Sequence, residues 1–323
     1  MGRGVKNRMT EPSVTTGGLM EGVVVRAHGK WFTVEVAGSD IVWLATPKGT
    51  LKRGRQVSDP VVVGDRVLLS DAGDGEARIE QVAERRTVLA RPQRGSTINE
   101  QILLANLDQA LFVFAVQHPE PHRRMLDRFL VLAEDRQLPA MIGVNKMDLD
   151  ERLPDGVLRS KAIFGDYEAI YPVFYFSTKT GEGIESLRAT MQDKTTVLTG
   201  PSGVGKSSIL NAFGAERVRD VGAISSATGK GRHTTTSAEL IRLDGTTFVA
   251  DTPGIRSLAM HGVPPEVLDQ RFRELLPYLG RCFYADCKHL TEPGCAVLEA
   301  LAEGKIAPER YESYAALRRG DRE

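Results

Sequence analysis

Gly200-Pro201-Ser202-Gly203-Val204-Gly205-Lys206-Ser207 follows the apolar run Thr195-Thr196-Val197-Leu198-Thr199 and opens the helix-like stretch Ser207 to Phe213. The segment fits the pattern G-x-x-x-x-G-K-[ST] between a predicted buried strand and a predicted helix. Glycines there let backbone N–H groups curl around phosphate oxygens, and the helix start adds its positive dipole end. We therefore predict a phosphate loop, with Lys206 facing the β- and γ-phosphates and Ser207 as a Mg²⁺ ligand. The alternative, a glycine-rich turn with an incidental lysine, fits this strand-to-helix context poorly.

Three further segments accompany the phosphate loop, in an order rotated relative to ordinary small GTPases. Asn145-Lys146-Met147-Asp148 comes first, Ser177-Thr178-Lys179 second, the phosphate loop third and Asp251-Thr252-Pro253-Gly254 last. An ordinary small GTPase begins with the phosphate loop and ends with the base-reading segments. The rotation predicts a circularly permuted α/β P-loop domain.

The first two segments each follow a predicted strand and are typical of guanine recognition. The Asp148 carboxylate can accept hydrogen bonds from two guanine N–H groups that adenine lacks, so it favours GTP over ATP. We expect Lys146 to lie over the purine face, Asn145 to tie its loop to the phosphate loop, and a backbone N–H of Ser177-Thr178-Lys179 to meet the guanine oxygen. A polar strand-to-helix turn is the alternative for either segment taken alone.

The last segment follows the apolar run Thr247 to Ala250, which places Asp251 at the end of a predicted strand. We expect Asp251 to contact Mg²⁺ directly or through water, and the Gly254 N–H to face the γ-phosphate. The full set of predicted GTP contacts is Asn145, Lys146, Asp148, Ser177, Thr178, Lys179, Gly200, Pro201, Ser202, Gly203, Val204, Gly205, Lys206, Ser207, Ser208, Asp251 and Gly254.

Ile255 stands where many GTPases carry a glutamine that orients the attacking water, so another residue must do this. The basic, glycine-rich segment Gly229 to Thr236 is a candidate switch loop. We predict that Thr235 or Thr234 completes the Mg²⁺ shell and that His233 is the catalytic residue that positions water. The alternative for His233 is an exposed side chain or a partner contact.

Residues 18 to 89 contain about five short apolar or alternating runs separated by glycine, proline and aspartate, which predicts a small closed β-barrel of the oligonucleotide-binding (OB) kind. Residues 1–60 hold nine Lys/Arg against five Asp/Glu, a surplus of four. We expect Trp31 and Trp43 to pack in the core rather than stack on bases. The candidate RNA contacts are Lys48, Lys52, Arg53 and Arg55; a solvated loop is the alternative.

All three cysteines fall near the C-terminus, in the pattern Cys282-x4-Cys287-x-His289-x5-Cys295. Three thiolates and one imidazole form a closed tetrahedral shell, which is typical of one structural Zn²⁺. A disulfide would leave one cysteine unpaired, and the remaining alternative is three buried thiols beside a surface histidine. Helical patterns run from Glu266 to Tyr278, from Ala296 to Glu303 and from Pro308 to Arg318, predicting a helical zinc-binding domain.

The length and composition of the chain limit the number of domains and the class of protein. The 323 residues suffice for two or three domains, and the formal net charge of zero argues against a generic polyanion binder. No long apolar run occurs, and residues 1–17 are polar, so we expect a flexible tail on a cytoplasmic protein without a signal peptide. Nothing in the sequence demands a dimer.

Four features of the chain occur together: the rotated motif order, the segment Gly231-Arg232-His233-Thr234-Thr235-Thr236, the segment Asp251 to Ile255, and the cysteine pattern. In these features the chain resembles the small-ribosomal-subunit-dependent GTPase A family of bacteria. The resemblance covers nearly the whole chain except residues 1 to about 17. It implies an OB barrel, a permuted GTPase and a C-terminal zinc domain. It also implies GTP hydrolysis stimulated by the small (30S) ribosomal subunit during late maturation of that particle, with His233 matching the family's proposed catalytic histidine.

We therefore expect a multidomain chain: a tail (1–17), an OB-fold RNA-binding domain (18–89), a permuted GTPase domain (90–263) and a zinc-binding helical domain (264–323). The expected partners are GTP or GDP, the small ribosomal subunit and its rRNA, with Mg²⁺ bound alongside GTP. An rRNA-binding scaffold with a structural, non-hydrolysed nucleotide is the main alternative. A small-molecule kinase is more remote, because no acceptor site is evident.

Overall fold

The computed structural model describes residues 18–36, 38–39, 41–52, 60–92, 100–214, 238–251 and 263–321. The chain divides into two compact units. The first contains residues 1–108, 191–197 and 213–254, and the second contains residues 109–190, 198–212 and 255–323.

Five strands of the first unit form a closed barrel in the order β1-β2-β3-β5-β4. They are β1 (Met20–His28), β2 (Trp31–Val36), β3 (Val42–Pro47), β4 (Arg66–Gly73) and β5 (Glu76–Val82). Strands β3 and β5 pair in parallel, and the other neighbours are antiparallel. Alternating side chains fill the interior, where Val34, Ala45, Leu69 and Ile79 are fully buried. The predicted OB-type barrel is confirmed.

The aromatic and basic residues of the barrel take different positions. Trp43 belongs to the barrel core, as predicted. Trp31 is only half-buried, and the Lys30 ammonium lies 5.5 Å from its ring centroid, so its expected core position is wrong. The Lys48 ammonium is 2.6 Å from the Glu80 carboxylate. Arg53 and Arg55 lie outside the described residues.

Two further strands, β6 (Val88–Pro92) and β7 (Glu100–Ala105), form an antiparallel pair. The strands that follow in the chain form a six-stranded sheet with the order β10-β9-β8-β11-β13-β12. Its strands are β8 (Gln109–Ala115), β9 (Ala140–Asn145), β10 (Val173–Tyr175), β11 (Thr195–Thr199), β12 (Glu239–Asp244) and β13 (Thr247–Asp251). Strands β8 and β9 pair in parallel and are buried along their whole length, as parallel strands covered on both faces are.

Within the described ranges, the α-helices that accompany these strands are α1 (Arg123–Asp135), α2 (Arg159–Phe164), α3 (Ile184–Met191) and α4 (Lys206–Ala212). Short 3-10 helices lie at Gly49–Lys52, Met147–Leu149 and Gly165–Tyr167. The strands predicted at Thr195 to Thr199 and Thr247 to Ala250 are present as β11 and β13.

The C-terminal region holds α5 (Ala296–Ala302) and α6 (Pro308–Arg319). The α-helix predicted from Glu266 to Tyr278 is wrong, because two 3-10 helices, Pro265–Arg271 and Arg273–Tyr278, lie there instead. Phe272 has an extended backbone between them, and Pro277 lies inside the second, where it cannot donate an α-helical hydrogen bond.

A buried ionic cluster joins the C-terminal region to α1 within the second unit. The fully buried Arg310 of α6 donates from Nη1 to Asp127 of α1 and from Nε to Glu274 at 2.5 Å. The Tyr167 hydroxyl donates to the same Asp127 carboxylate at 2.7 Å. The guanidinium also lies 4.7 Å from the Phe272 ring centroid. The buried Arg310 charge is therefore paired with two carboxylates, as a buried cation requires.

None of the helices in the described part of the chain combines the length and the apolar character that crossing a membrane requires.

Candidate nucleotide and metal sites

The loop between β11 and α4 has the backbone geometry of a tight phosphate cradle. Gly200, Gly203 and Gly205 adopt positive φ angles of 150°, 79° and 99°, which side chains rarely tolerate. A Cβ atom on Gly200 would lie 2.0 Å from the Val113 carbonyl oxygen of β8. The loop therefore depends on glycine for its conformation and for its close approach to the neighbouring strand.

Lys206 spans this loop. Its ammonium group donates to the carbonyl oxygens of Gly200 at 2.9 Å and of Pro201 at 2.7 Å. These bonds hold the positive charge across the mouth of the loop, where a phosphate group would meet it.

Asn145, fully buried at the end of β9, connects three loops. Its amide nitrogen donates to the Val204 carbonyl oxygen at 2.8 Å and to the Thr178 hydroxyl at 3.3 Å. Its amide oxygen accepts from the Lys146 and Thr178 backbone N–H groups at 2.7 and 3.0 Å. A Cβ atom on Gly205 would lie only 2.3 Å from the same amide nitrogen, so no larger residue fits there without a shift. The expected tie between the two loops is therefore present in the structure.

Asp148 is held in place by residues of the neighbouring loop. The Ser177 hydroxyl donates to one carboxylate oxygen at 2.6 Å, and the Lys179 ammonium lies 3.3 Å from the other. The Ser177 hydrogen bond, with a smaller contribution from Lys179, lowers the pKa of Asp148 despite opposing desolvation. The carboxylate is therefore ionised near neutral pH and can only accept hydrogen bonds.

Lys146 has a left-handed backbone conformation, with φ of 66°. Its ammonium group donates to the His118 carbonyl oxygen, in the segment that follows β8. Pro119 approaches the phosphate loop from the same segment, since its Cδ atom would lie 3.8 Å from a Cβ on Gly203. Sequence reasoning missed the His118–Pro119 segment, because no local pattern connects it to the loops it touches.

The cysteine and histidine side chains near the C-terminus converge. One ligand atom from each of Cys282, Cys287, His289 and Cys295 lies within 4.8 Å of all the others. The Cys282 and Cys295 sulfurs are each 3.4 Å from His289 Nδ1 and 3.9 Å from one another. An ideal tetrahedral zinc shell places two sulfurs about 3.8 Å apart and a sulfur and a nitrogen about 3.5 Å apart. The cluster therefore fits a tetrahedral metal ion.

Groups around this cluster orient its ligands. Asp269 Oδ2 lies 3.7 Å from His289 Nε2, on the side of the ring that faces away from the cluster. The Tyr311 hydroxyl donates to the His289 carbonyl oxygen at 3.0 Å, and the Tyr314 hydroxyl donates to that of Lys288 at 2.7 Å.

Glu292 holds the loop between the last two ligands. Its carboxylate accepts from the backbone N–H groups of Lys288, Leu290 and Thr291 at 2.8 to 3.0 Å. Desolvation raises its pKa, but these backbone hydrogen bonds outweigh that effect and lower the pKa to about 2. Burial raises the pKa of the Cys287 thiol to about 12, so binding of a metal there would release its proton.

Several predicted site residues fall where side-chain geometry is not described. Asp251 is the last residue of β13, and Lys52 ends a 3-10 helix. His233, Thr234, Thr235 and Gly254 lie outside the described residues. Their assigned roles stay predictions.

The cradle between β11 and α4 and the polar loops joined by Asn145 define a nucleotide-binding protein of the P-loop class with rotated motif order. Residues 82–261 match the family model described as RsgA GTPase. The chain belongs to that family, which confirms the resemblance noted from its motifs.

Curated relatives and solved structures agree with this assignment. The small ribosomal subunit biogenesis GTPase RsgA of Gemmatimonas aurantiaca is 43% identical over 300 residues, covering 92% of this chain and 96% of the relative. That of Chlorobaculum tepidum is 39% identical over 308 residues, covering 92% and 97%. The crystal structure of YjeQ from Thermotoga maritima matches with a TM-score of 0.75 and 34% identity, covering 94% of this chain and all of that one. YloQ, described as a circularly permuted GTPase, matches with a TM-score of 0.71 and 30% identity, covering 95% and 97%.

Proposed function

We propose that this protein hydrolyses GTP to GDP and phosphate as a late maturation factor of the small ribosomal subunit, and that the subunit stimulates the reaction. The observation that carries the proposal is Asn145, which fixes the phosphate loop and both base-reading loops in one network of hydrogen bonds. Relatives that share this architecture over more than nine-tenths of the chain are named as GTPases of small ribosomal subunit biogenesis.

Residues of the described ranges support the proposed nucleotide recognition. Gly200 to Gly205 present backbone N–H groups to the phosphates, and Lys206 neutralises part of their charge. The Asp148 carboxylate, ionised and held by Ser177, accepts from the two guanine N–H groups, whereas adenine would leave it without donors. The Lys146 side chain lies over the base, and a backbone N–H of the Ser177–Lys179 loop faces the guanine oxygen.

The catalytic assignments come from the sequence motifs, and the family resemblance adds that His233 matches the family's proposed catalytic histidine. Ile255 stands where many GTPases carry a glutamine that orients the attacking water. His233 takes over that role and positions the water. Ser207, Asp251 and Thr235 or Thr234 would hold Mg²⁺, which would supply positive charge to the leaving and transferred phosphates. The Gly254 N–H faces the γ-phosphate.

The metal at the C-terminal cluster is assigned as one structural Zn²⁺. Two sulfurs and one nitrogen at tetrahedral separations, with the Cys287 sulfur within 4.8 Å of them, suit zinc, and four protein ligands would leave no position for a reacting water. Its role is to hold the loop between the 3-10 helices and α5.

The partner and the domain assignments follow from the same proposal. Residues 18–89 form the RNA-binding OB domain, with Lys48, Lys52, Arg53 and Arg55 as phosphate contacts. Residues 90–263 form the GTPase domain, residues 264–323 form the zinc domain, and residues 1–17 form a tail. The protein acts as a monomer in the cytoplasm, where it meets small ribosomal subunits.

A GTPase assay with purified small subunits, large subunits and naked rRNA in parallel tests this proposal. We expect phosphate release to rise only with small subunits, and His233→Ala to lower the stimulated rate while nucleotide affinity stays nearly unchanged. A wild-type rate in that variant would reject the role of His233. Absence of stimulation by any particle would favour a scaffold with a structural nucleotide.

A further inference from the structure

Two aromatic side chains beside the metal cluster are exposed to solvent. Phe283 is 80% exposed and Tyr284 is 44% exposed, and their rings meet edge to face with centroids 5.0 Å apart. Among the large hydrophobic residues exposed in the described part of the chain, these are the only aromatic ones, and the aliphatic ones reach at most 48%. We call Phe283 and Tyr284 the aromatic pair.

The backbone fixes the position of this pair. Phe283 follows the metal ligand Cys282, and its N–H donates to the Gly294 carbonyl oxygen at 2.9 Å. Gly294 has a φ of 67°, and a Cβ atom there would lie 3.0 Å from the Phe283 Cβ. The backbone next to the metal ligand Cys282 therefore holds Phe283 at this surface, so a partner that contacts it pays little entropy for ordering the backbone.

Positive charge flanks the aromatic pair. Arg281 and Lys288 are exposed on the two sides of it in sequence. Two acidic residues lie in the same part of the sequence. Asp286 is exposed, whereas the Glu292 carboxylate already accepts hydrogen bonds from backbone N–H groups of its own loop. Aromatic faces beside cationic side chains suit unpaired nucleotides, because bases stack on the rings while phosphates meet the cations.

We infer that Phe283 and Tyr284 stack on unpaired bases of an RNA, with Arg281 and Lys288 contacting the adjoining phosphates. The inference rests on the proposed function, which supplies the RNA as part of the small ribosomal subunit. An apolar protein surface is the competing partner. It would use the hydrophobic area of Phe283 but not the flat π-face of its ring.

Three substitutions at Phe283 separate these partners, measured as affinity of the full-length, zinc-loaded protein for purified small ribosomal subunits with a non-hydrolysable GTP analogue. For RNA stacking we expect Phe283→Ala and Phe283→Leu each to weaken binding about 10-fold, and Phe283→Trp to bind at least as tightly as wild type. Tyr284→Ala should weaken it by a similar factor. Leu276→Ala, which removes a 48% exposed aliphatic side chain elsewhere in the same region, is the matched control and should change binding less than about 2-fold.

Each variant must also retain one equivalent of zinc and the wild-type affinity for GTP, which shows that the metal loop and the nucleotide site remain folded. Full binding by Phe283→Leu together with loss in Phe283→Ala would overturn the inference in favour of a protein contact. Wild-type affinity in both Phe283→Ala and Tyr284→Ala would reject any partner at this surface. If the wild-type protein itself fails to bind small subunits, the proposed function fails instead, so the two failures are distinguishable.

Discussion

The guanine-reading loops and the C-terminal metal region are both rich in polar side chains, but they are stabilised differently. In the guanine-reading loops one buried amide, Asn145, satisfies four hydrogen bonds, and Asp148 is held by its neighbours Ser177 and Lys179. In the metal region two 3-10 helices and two short α-helices surround four ligands, and a buried ion cluster supports them. The hydrogen bonds of one neutral, buried amide join the loops of the first region, whereas fully buried ions support the second.

This difference predicts that loss of the metal disrupts one region only. Chelation, or Cys295→Ser, should unfold the C-terminal helices while GTP affinity stays within a few-fold of wild type. The effect should be the largest of those considered, because structural zinc supplies about 10–16 kcal/mol of apparent free energy in zinc-finger peptides. Zinc content, limited proteolysis and calorimetric GTP titration on the same samples measure it. Intact C-terminal resistance to protease in metal-free protein would contradict it.

The buried ion cluster gives the next largest effect. Arg310→Met leaves the carboxylates of Asp127 and Glu274 buried without their cation, which should cost about 3–5 kcal/mol of unfolding free energy. Chemical denaturation measures this loss. Arg319→Met is the control, because Arg319 is an exposed arginine at the end of the same helix and its replacement should change stability little. Adding Asp127→Asn to Arg310→Met should recover part of the loss. A double variant less stable than the single one would argue against charge compensation as the cause.

The local features of these two regions could be predicted from the sequence, but their long-range contacts could not. The five-stranded barrel was predicted because alternation and turn residues are local signals, and the phosphate loop and the Cys-x4-Cys-x-His-x5-Cys pattern are local as well. Arg310 and Asp127 lie 183 positions apart, so no window of sequence reveals that they meet. The same holds for the contact between Lys146 and the His118 carbonyl.

The two 3-10 helices show a second limit of structure prediction from sequence. Glu266 to Tyr278 carries a helical spacing of apolar residues, and Leu268, Phe272 and Leu275 are indeed buried. Pro277 and the extended backbone at Phe272 nevertheless interrupt the α-helix, because the chain turns to bring Asp269 toward His289 and Glu274 toward Arg310. Local periodicity therefore identified the buried face but not the backbone that presents it.

In the guanine-reading loops, changing one hydrogen-bonding pattern should alter specificity without unfolding the protein. Asp148→Asn replaces an acceptor with a group that also donates toward the guanine N–H groups, so we expect GTP affinity to fall about 100-fold or more. Affinity for xanthosine triphosphate, which offers an oxygen in place of the exocyclic amine, should rise. Thermal unfolding without nucleotide should match wild type. Unchanged GTP affinity would remove Asp148 from base recognition.

The smallest expected effect concerns the charge of that same carboxylate. The Ser177 hydroxyl is the largest cause of the lowered pKa of Asp148, so Ser177→Ala should raise this pKa toward its ordinary value, whereas Ser177→Thr, which keeps a hydroxyl, should leave it low. Carbon-detected NMR titration of the Asp148 carboxyl measures the difference in nucleotide-free protein. Because the folded pKa lies below the unfolded one, the stabilisation from this hydrogen bond is present above pH of about 3.8 and is lost as the pH falls through the lowered value. A pKa in Ser177→Ala equal to that of wild type would mean that Lys179, rather than the hydroxyl, keeps the guanine-reading carboxylate ionised.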